Sequence, residues 1–304
     1  MKKIWAGTTY GNSWMHTWLI RMLRYIDVRI LYAFVSIFVI PVCLVLNPSC
    51  GIAYRYFRQR HGYSKIKAAW KTYINHCLFG QVVIDKFAMY AGKKFDIKIE
   101  GYEKFLHLAD QEKGFIQLSA HIGNYEIAGY TLIAKQKKFN ALVFFGEKES
   151  VMKNRMKLFS QTNINMIAVR PDMGHIFDII SALNNGEIVS MPADRIFGSE
   201  QKIALDFLGA KADFPMGPFK LATAVGLDVI TVHVLKTATR SYLIKVDNLP
   251  YDKTASRKEQ IAQLSQAYID RLEHVVKQYP CQWYNFFEFW NKQDEGRELQ
   301  STNR

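Results

Sequence analysis

The hydrophobic pattern of this chain begins with a long uncharged run. Residues 30–46 are almost entirely apolar, and no charged side chain follows until Arg55. As a helix this run would be about 25 Å long, slightly less than the ~30 Å hydrocarbon layer of a bilayer, and Pro41 is predicted to kink it. The pattern predicts a membrane-attachment helix, either as a single span, as a re-entrant hairpin or as a helix in the interface. A buried core helix is the alternative.

Short apolar runs alternate with helical patterns in the following two thirds of the chain. Strands are predicted at 114–118, 140–145, 165–169 and 187–191, and helices at 149–161 and 175–183. This alternation predicts an α/β fold with functional residues at the strand ends. We therefore divide the chain into a basic, apolar N-terminal membrane-attachment region (1–98), an α/β domain (99–295) and a polar tail (296–304).

Positive charge is concentrated in the N-terminal region. The chain has 304 residues, 49% of them hydrophobic, with 40 Lys and Arg against 27 Asp and Glu, a net charge of +13. Residues 1–98 hold 15 of these bases and 3 of the acids, which puts +12 there and +1 in the remainder. Between residues 52 and 76 aromatic and basic side chains are interspersed, which suits the headgroup zone of anionic lipid. Nucleic acid is the less favoured partner because the uncharged run adjoins this segment, and a merely soluble basic surface is a further alternative.

Cysteine and histidine positions favour neither a disulfide framework nor a metal site. The cysteines are Cys43, Cys50, Cys77 and Cys281, with no paired spacing. We therefore expect a reduced compartment, with no zinc framework. Nor do the histidines outside the motif described next show metal-ligand spacing, so no metal is expected.

One predicted strand-to-helix junction combines a histidine with a glutamate. Residues 119–126 read Ser-Ala-His-Ile-Gly-Asn-Tyr-Glu, between the strand at 114–118 and an apolar helical face. At such a junction the helix dipole disfavours protonated His121. The Glu126 carboxylate would hold the proton of one ring nitrogen and leave the other nitrogen as a base for a hydroxyl. The ordinary alternative is a loop histidine followed by a solvated glutamate in the first helical turn.

Charged residues also follow two later predicted strands. Arg170 with Asp172, and Asp194 with Arg195, each come directly after one of them. Since catalytic residues of α/β folds gather at strand ends, these groups are candidates for the same site as His121. Simple surface ion pairs are the alternative for both arginines.

Several segments carry a resemblance to a known family. His-Ile-Gly-Asn-Tyr-Glu at 121–126 resembles the His-x4-Asp/Glu motif of glycerolipid acyltransferases, in the form of the lipid A late (lauroyl/myristoyl) acyltransferases. Leu-Asn-Asn-Gly-Glu followed by Asp at 183–194, Gly-Pro followed by Leu-Ala at 217–222, and Tyr-Pro-Cys-Gln-Trp at 279–283 resemble that family in the same order. The resemblance covers roughly residues 15–290.

The resemblance implies a membrane-bound acyltransferase. Its fold would be glycerol-3-phosphate acyltransferase-like, with a mixed central sheet flanked by helices, and residues 99–295 would be the catalytic domain. It would move a fatty acyl chain from an acyl carrier protein thioester, or from acyl-CoA, to a hydroxyl of a lipid such as a lipid A precursor. His121, oriented by Glu126, would be the general base, with no covalent acyl-enzyme and no cofactor beyond the acyl co-substrate.

The resemblance also implies partners, a location and further site residues. The partners would be acyl carrier protein, anionic membrane lipid and the lipid acceptor, with no nucleic acid, and the catalytic domain would lie on the cytoplasmic side of the cell inner membrane. The candidate substrate-binding residues are Asn124, Lys148, Arg170, Asp194 and Arg195.

Two departures from the family pattern leave the acceptor open. Gly146-Glu147-Lys148 stands where the family usually has an arginine, and Arg195-Ile196 stands where a second acidic residue often follows. The acceptor is therefore a lipid A precursor or another amphiphile, such as an aryl-polyene or amino-acid lipid. The alternatives in other classes are a non-catalytic membrane-bound homologue and a hydrolase in which His121 activates water.

Overall fold

The computed structural model describes residues 13–47, 49–132, 134, 136–144, 163–170, 172–196 and 201–290. The predicted helix at 149–161, Lys148 and the polar tail lie outside them. Ten α-helices within these ranges have bounds α1 Ser13–Tyr25, α2 Val28–Phe34, α3 Ile40–Leu46, α4 Ser49–Arg55, α5 Lys65–Tyr90, α6 Tyr102–Ala109, α7 Glu126–Thr131, α8 His175–Asn184, α9 Gly217–Ala224 and α10 Arg257–Gln278.

The uncharged run folds as one continuous helical stretch with a wider turn in its middle. Asp27 caps α2 by accepting a hydrogen bond from Arg29 N at 2.9 Å. The residues Val35–Val39 form a π-helical turn, and α3 follows with Pro41 in its first turn. Because proline has no N–H to donate, the wider turn lets the helix continue past Pro41.

This stretch lies on α5 but is mostly exposed. Val28–Leu46 is the one helical segment in the described part of the chain that is long and apolar enough to cross a membrane. Ile37, Phe38 and Val45 are 61%, 62% and 83% exposed. A core helix would bury such side chains, so the alternative of a buried core helix is disfavoured.

A seven-stranded mixed sheet forms the centre of the molecule. Its order is β1-β9-β8-β2-β5-β3-β4, and all neighbouring pairs are parallel except the antiparallel hairpin β8–β9. A two-stranded antiparallel sheet, β6–β7, lies apart from it. The strands are β1 Asp96–Glu100, β2 Phe115–Ser119, β3 Phe139–Phe144, β4 Ile164–Val169, β5 Ile188–Pro192, β6 Lys202–Phe207, β7 Ala210–Pro215, β8 Val229–Ala238 and β9 Ser241–Asn248.

The structure confirms the four predicted strands and the predicted helix at 175–183 within one or two residues at each end. It also confirms the α/β fold with a mixed sheet and flanking helices. Both faces of the sheet are covered. On β2, Ile116 and Leu118 join one core, which α10 closes, whereas Phe115 joins the core under α6 and α7. A strand buried on both faces reads as a continuous apolar run, as β2 does.

The N-terminal region contributes to the same cores. Phe57 and Ala68 are fully buried in the core closed by α10, and Leu23, Tyr32 and Phe87 form a third cluster between α1, α2 and α5. The predicted division at residue 98 falls within β1. The apolar helix is therefore packed against the domain that carries the predicted site.

Candidate active site

The loop between β2 and α7 is fixed by its contacts with β8. Gly123 has φ of +56°, and a Cβ atom there would lie 1.7 Å from Val234 O. Gly123 N donates to Gln282 O at 2.8 Å, and Asn124 N donates to Val234 O at 2.9 Å. Only glycine fits this backbone, and the loop holds His121 at the carboxyl edge of the sheet.

His121 and Asp194 form a hydrogen-bonded pair at this edge. His121 Nδ1 lies 2.7 Å from Asp194 Oδ1, and His121 N donates to Asp194 Oδ2 at 2.9 Å. Trp283 Nε1 also donates to Oδ2, at 3.3 Å. The two residues meet because β2 and β5 are parallel neighbours, with Ser119 in register with Pro192. With Nδ1 donating to the carboxylate, Nε2 is the ring nitrogen left to act on a substrate.

Burial and neighbouring charges favour neutral His121 and ionised Asp194, the protonation states that a general base requires. Burial lowers the pKa of His121, and the Arg195 charge adds to that effect against the opposing influence of Asp194. Burial alone would raise the pKa of Asp194, but the charge and hydrogen bonds of His121, together with the Arg195 charge, hold it well below its usual range. Asp194 is therefore ionised and His121 neutral near pH 7.

Arg195 is positioned by the C-terminal segment. Its NH2 donates to Tyr284 O, and its guanidinium carbon lies 5.4 Å from the centroid of the Phe287 ring. Burial lowers the pKa of Arg195, and Asp194 opposes that shift. Its charge consequently lies beside the His121–Asp194 pair while its hydrogen bond is to the backbone.

Glu126 does not orient His121, which corrects the expectation from the sequence. Its carboxylate lies 2.7 Å from Lys86 Nζ and accepts from Tyr90 OH at 3.3 Å, both on α5. The expectation assumed helical geometry between His121 and Glu126, but α7 begins only at Glu126 and the loop before it includes the left-handed Gly123. Asp194, predicted only as a substrate-binding residue, holds the position next to His121.

The other predicted site residues are distributed differently. Asn124 is buried, with its backbone tied to β8. Arg170 lies at the end of β4, two strands beyond β5 in the sheet, and its NH2 donates to Asp178 Oδ2 at 2.7 Å. The structure therefore brings Asp194 and Arg195 to His121 and places Arg170 in an exposed ion pair. Substrate-binding roles for these residues stay predictions.

The sequence did not identify the role of the C-terminal segment. Gln282 Oε1 accepts from Lys236 N and Gln282 Nε2 donates to Lys236 O, both at 2.8 Å, so this side chain pairs with β8 as a strand would. Tyr284 N donates to His121 O at 3.0 Å. The Tyr-Pro-Cys-Gln-Trp motif was the available signal, but it resembled the family without indicating a contact.

The described residues include no group of three or more His, Cys, Asp or Glu side chains that could hold a metal ion. The site brings together a neutral imidazole, a buried carboxylate and a half-buried arginine. This arrangement suits removal of a proton from a hydroxyl by His121 Nε2.

Two curated proteins are similar to part of this chain. The phosphatidylinositol mannoside acyltransferase of Mycobacterium tuberculosis is 22% identical over 178 residues, 58% of this chain and 54% of that protein. The Mycolicibacterium smegmatis protein of the same name is 20% identical over 182 residues, 60% of this chain and 58% of that protein. The chain spans about half the length of the curated relatives it matches.

A solved structure and a family model also match. The 1-acyl-sn-glycerophosphate acyltransferase of Thermotoga maritima is 14% identical, covers 88% of this chain and 98% of its own, and superposes with a TM-score of 0.39. The model of the bacterial lipid A biosynthesis acyltransferases matches residues 66–292, which include all the elements of the site described above. The chain belongs to the bacterial lipid A biosynthesis acyltransferase family.

Proposed function

We propose that this protein is a membrane-associated O-acyltransferase that moves a fatty acyl chain from an acyl carrier protein thioester to a hydroxyl of a lipid acceptor. The observation that carries the proposal is the 2.7 Å bond from His121 Nδ1 to the buried carboxylate of Asp194. It leaves Nε2 as a base while Asp194 stabilises the imidazolium that forms. Family membership supports acyl transfer as the reaction.

The reaction needs one proton carrier. His121 Nε2 takes the proton of the acceptor hydroxyl as its oxygen attacks the thioester carbonyl, giving a tetrahedral oxyanion. Collapse of this intermediate breaks the carbon–sulfur bond, and the thiolate takes the proton from His121. The products are an ester and the free thiol of the carrier. The Arg195 charge beside the pair favours the oxyanion electrostatically.

The N-terminal helices support attachment to a membrane surface. Trp14, Trp18 and Trp70 are 72%, 55% and 59% exposed. Tryptophan is typical of the membrane interface, and the Lys and Arg around α4 and α5 suit anionic headgroups. We infer that the catalytic domain lies on the cytoplasmic side of the inner membrane, where acyl carrier protein is available.

The acceptor is best described as a membrane lipid with a sugar-borne hydroxyl. The family is named for lipid A biosynthesis, and the mycobacterial relatives are named for phosphatidylinositol mannoside. A lipid A precursor is the candidate that fits this description, and an aryl-polyene or amino-acid lipid is the alternative outside it. Acyl-CoA is the alternative donor.

The test is transfer of radiolabelled acyl chains by the full-length protein in vesicles. Wild type should acylate at least one lipid of a panel, and His121→Ala and Asp194→Asn should lose about 10²–10⁴ of the rate. Glu126→Gln is the matched control, since Glu126 contacts Lys86 instead of His121. Equal product from wild type and His121→Ala would overturn the proposal. Acyl release at the same rate without acceptor would indicate a hydrolase, and no turnover by wild type with either donor would favour the non-catalytic homologue.

A further inference from the structure

The residues after the Tyr-Pro-Cys-Gln-Trp motif are held along the catalytic loop. Asn75 Nδ2 on α5 donates to Cys281 O at 3.0 Å and to Trp283 O at 3.1 Å. Tyr284 N donates to His121 O at 3.0 Å, and Ile122 bridges Trp283 in antiparallel fashion. The backbone at 281–284 is thus fixed on both sides, by α5 and by the loop that carries the base.

Side chains of this segment alternate between contacts with the Asp194–Arg195 site and contacts with α5. Trp283 donates to Asp194, and Phe287 lies beneath the Arg195 guanidinium. The even-numbered Tyr284 and Phe286 instead pack on Phe79 of α5, with ring centroids 5.1 and 5.3 Å away. This alternation of contacts is the one expected where successive side chains point to opposite sides of the backbone. The odd-numbered position between Trp283 and Phe287 therefore faces the side of the Asp194–Arg195 site.

That position is Asn285, whose amide has no partner among the described residues. The side chain is 4% exposed, and both Oδ1 and Nδ2 are buried without a hydrogen bond. The comparably buried Asn75 shows the usual arrangement, with its amide hydrogen-bonded to two carbonyls. An unpaired buried amide is costly and rare in folded proteins, and in Asn285 both atoms of the amide are unpaired.

The chemistry of an amide restricts the group that could pair with it. Asn285 offers one acceptor and two donor hydrogens without charge, which is matched by a hydroxyl because a hydroxyl also donates and accepts. A phosphate only accepts, so it would leave Oδ1 unpaired. Of the two charged groups on this side, Asp194 is hydrogen-bonded to His121 and Trp283, and Arg195 donates to Tyr284 O.

We propose that Asn285 is an acceptor-binding residue, whose Oδ1 and Nδ2 hydrogen-bond to hydroxyls of the polyhydroxylated headgroup that carries the hydroxyl activated by His121. This inference rests on the proposed function for the identity of the reacting group. It makes Asn285 a residue that selects for a headgroup with several hydroxyls over a lipid with one.

A stability comparison separates this role from a structural one. In Asn285→Leu the unpaired amide is replaced by an apolar side chain of similar size, so the Tm of the full-length protein should stay equal or rise. Asn75→Leu is the matched control and should lower the Tm by about 2–4 °C or more, because it leaves two carbonyls without a donor. A fall for Asn285→Leu as large as that for Asn75→Leu overturns the proposal.

A kinetic comparison tests binding of the hydroxyls. Two acceptors with the same alkyl chain are used: dodecyl maltoside, with many hydroxyls, and octaethylene glycol monododecyl ether, with one. Asn285→Leu should raise KM for dodecyl maltoside about tenfold or more while KM for the acyl carrier protein donor stays unchanged. The monohydroxy acceptor should respond much less. An unchanged KM for dodecyl maltoside overturns the proposal.

The two proposals fail in different ways. If wild type transfers no acyl chain to any acceptor, the proposed function fails, and binding is then measured directly as the Tm shift on moving from the monohydroxy ether to dodecyl maltoside. A larger stabilisation of wild type than of Asn285→Leu supports hydroxyl binding at Asn285, and equal shifts overturn it.

Discussion

Lys236→Met should show how strongly the apolar N-terminal helix is bound to the central sheet. Lys236 Nζ lies 2.5 Å from Asp85 Oδ2 and donates to Thr239 O at 2.9 Å. The hydroxyls of Tyr32, on the apolar helix, and of Tyr242, on β9, donate to the same carboxylate. The side chains of Lys236 and Asp85 are 3% and 0% exposed. This buried network therefore joins α2, α5, β8 and β9.

The magnitude follows from the burial of the pair. Removing one partner of a buried ion pair leaves an uncompensated charge, which costs about 3–5 kcal/mol. Two tyrosine hydroxyls remain as donors to Asp85, so we expect the lower end of that range, about 3 kcal/mol of unfolding free energy at pH 7. Tyr32→Phe should cost less, about 1–3 kcal/mol, since it removes a single hydroxyl donor.

The stability that Lys236→Met loses should depend on pH. Burial raises the pKa of Asp85, and in wild type the Lys236 charge opposes that rise. In Lys236→Met the opposing charge is gone, so the pKa of Asp85 in the folded variant lies above its value in the unfolded chain. Stabilisation by the protonated carboxyl is then fully present below the unfolded pKa and is lost as pH rises through the folded pKa. The loss of unfolding free energy in Lys236→Met relative to wild type should therefore be smaller at pH 5 than at pH 8.

Urea unfolding in micelles, followed by tryptophan fluorescence at pH 5, 7 and 8, measures these differences. Lys253→Met is the matched control, because Lys253 Nζ lies 2.6 Å from Asp228 Oδ1 in a pair whose side chains are 43% and 44% exposed. Such exposed pairs contribute about 0–1 kcal/mol. If Lys236→Met were as stable as Lys253→Met at pH 7, or if its deficit grew toward low pH, the reasoning about the buried network would be refuted.

Three further predictions concern the catalytic loop. Asp194→Asn should lower kcat by about 10²–10⁴ while circular dichroism shows an intact fold, and Glu126→Gln should lower kcat much less. A larger loss of kcat in Glu126→Gln than in Asp194→Asn would restore Glu126 as the group that orients His121. The value of kcat/KM for wild type should rise with pH as His121 loses its proton, with a midpoint below pH 6.5, because burial lowers the pKa of His121 from that value. A midpoint above pH 7 in the pH–rate profile would contradict this. Gly123→Ala should fail to accumulate as folded protein, because its Cβ would overlap Val234 O. In the control Gly209→Ala no atom lies within 4 Å of the new Cβ, so this variant should lose stability only through backbone strain. Equal Tm values for the two variants would argue against the loop geometry.

The sequence located His121, the proposed base, because its signals are local. The apolar run of β2 and the small residues after it place His121 at a strand end. The spacing to Glu126 was misleading, since a helical spacing has meaning only where the helix has already begun. Asp194 was found by the same strand-end argument, but the pairing of β2 with β5 was needed to bring it to His121. That pairing joins residues 73 positions apart, and no local pattern specifies it.

The contacts of the C-terminal segment could not be predicted for a similar reason. Gln282 pairs with Lys236 through a side-chain amide that imitates a strand, and this leaves no periodicity in the sequence. Asn285 is conspicuous only through its missing partners, a property of the packed molecule. The orientation of the buried pair Lys236–Asp85 was equally hidden, because each residue alone reads as an ordinary surface charge.

The bond from Tyr284 N to His121 O has a consequence for the order of synthesis. The apolar helix is translated early, and under the proposed membrane attachment it reaches the bilayer before residue 284 has been translated. Until then the loop of His121 lacks the neighbour that closes it, and Trp283 cannot donate to Asp194. A nascent or truncated chain that lacks residues 283 and 284 therefore has an incomplete environment around His121 and Asp194, and we expect it to be inactive.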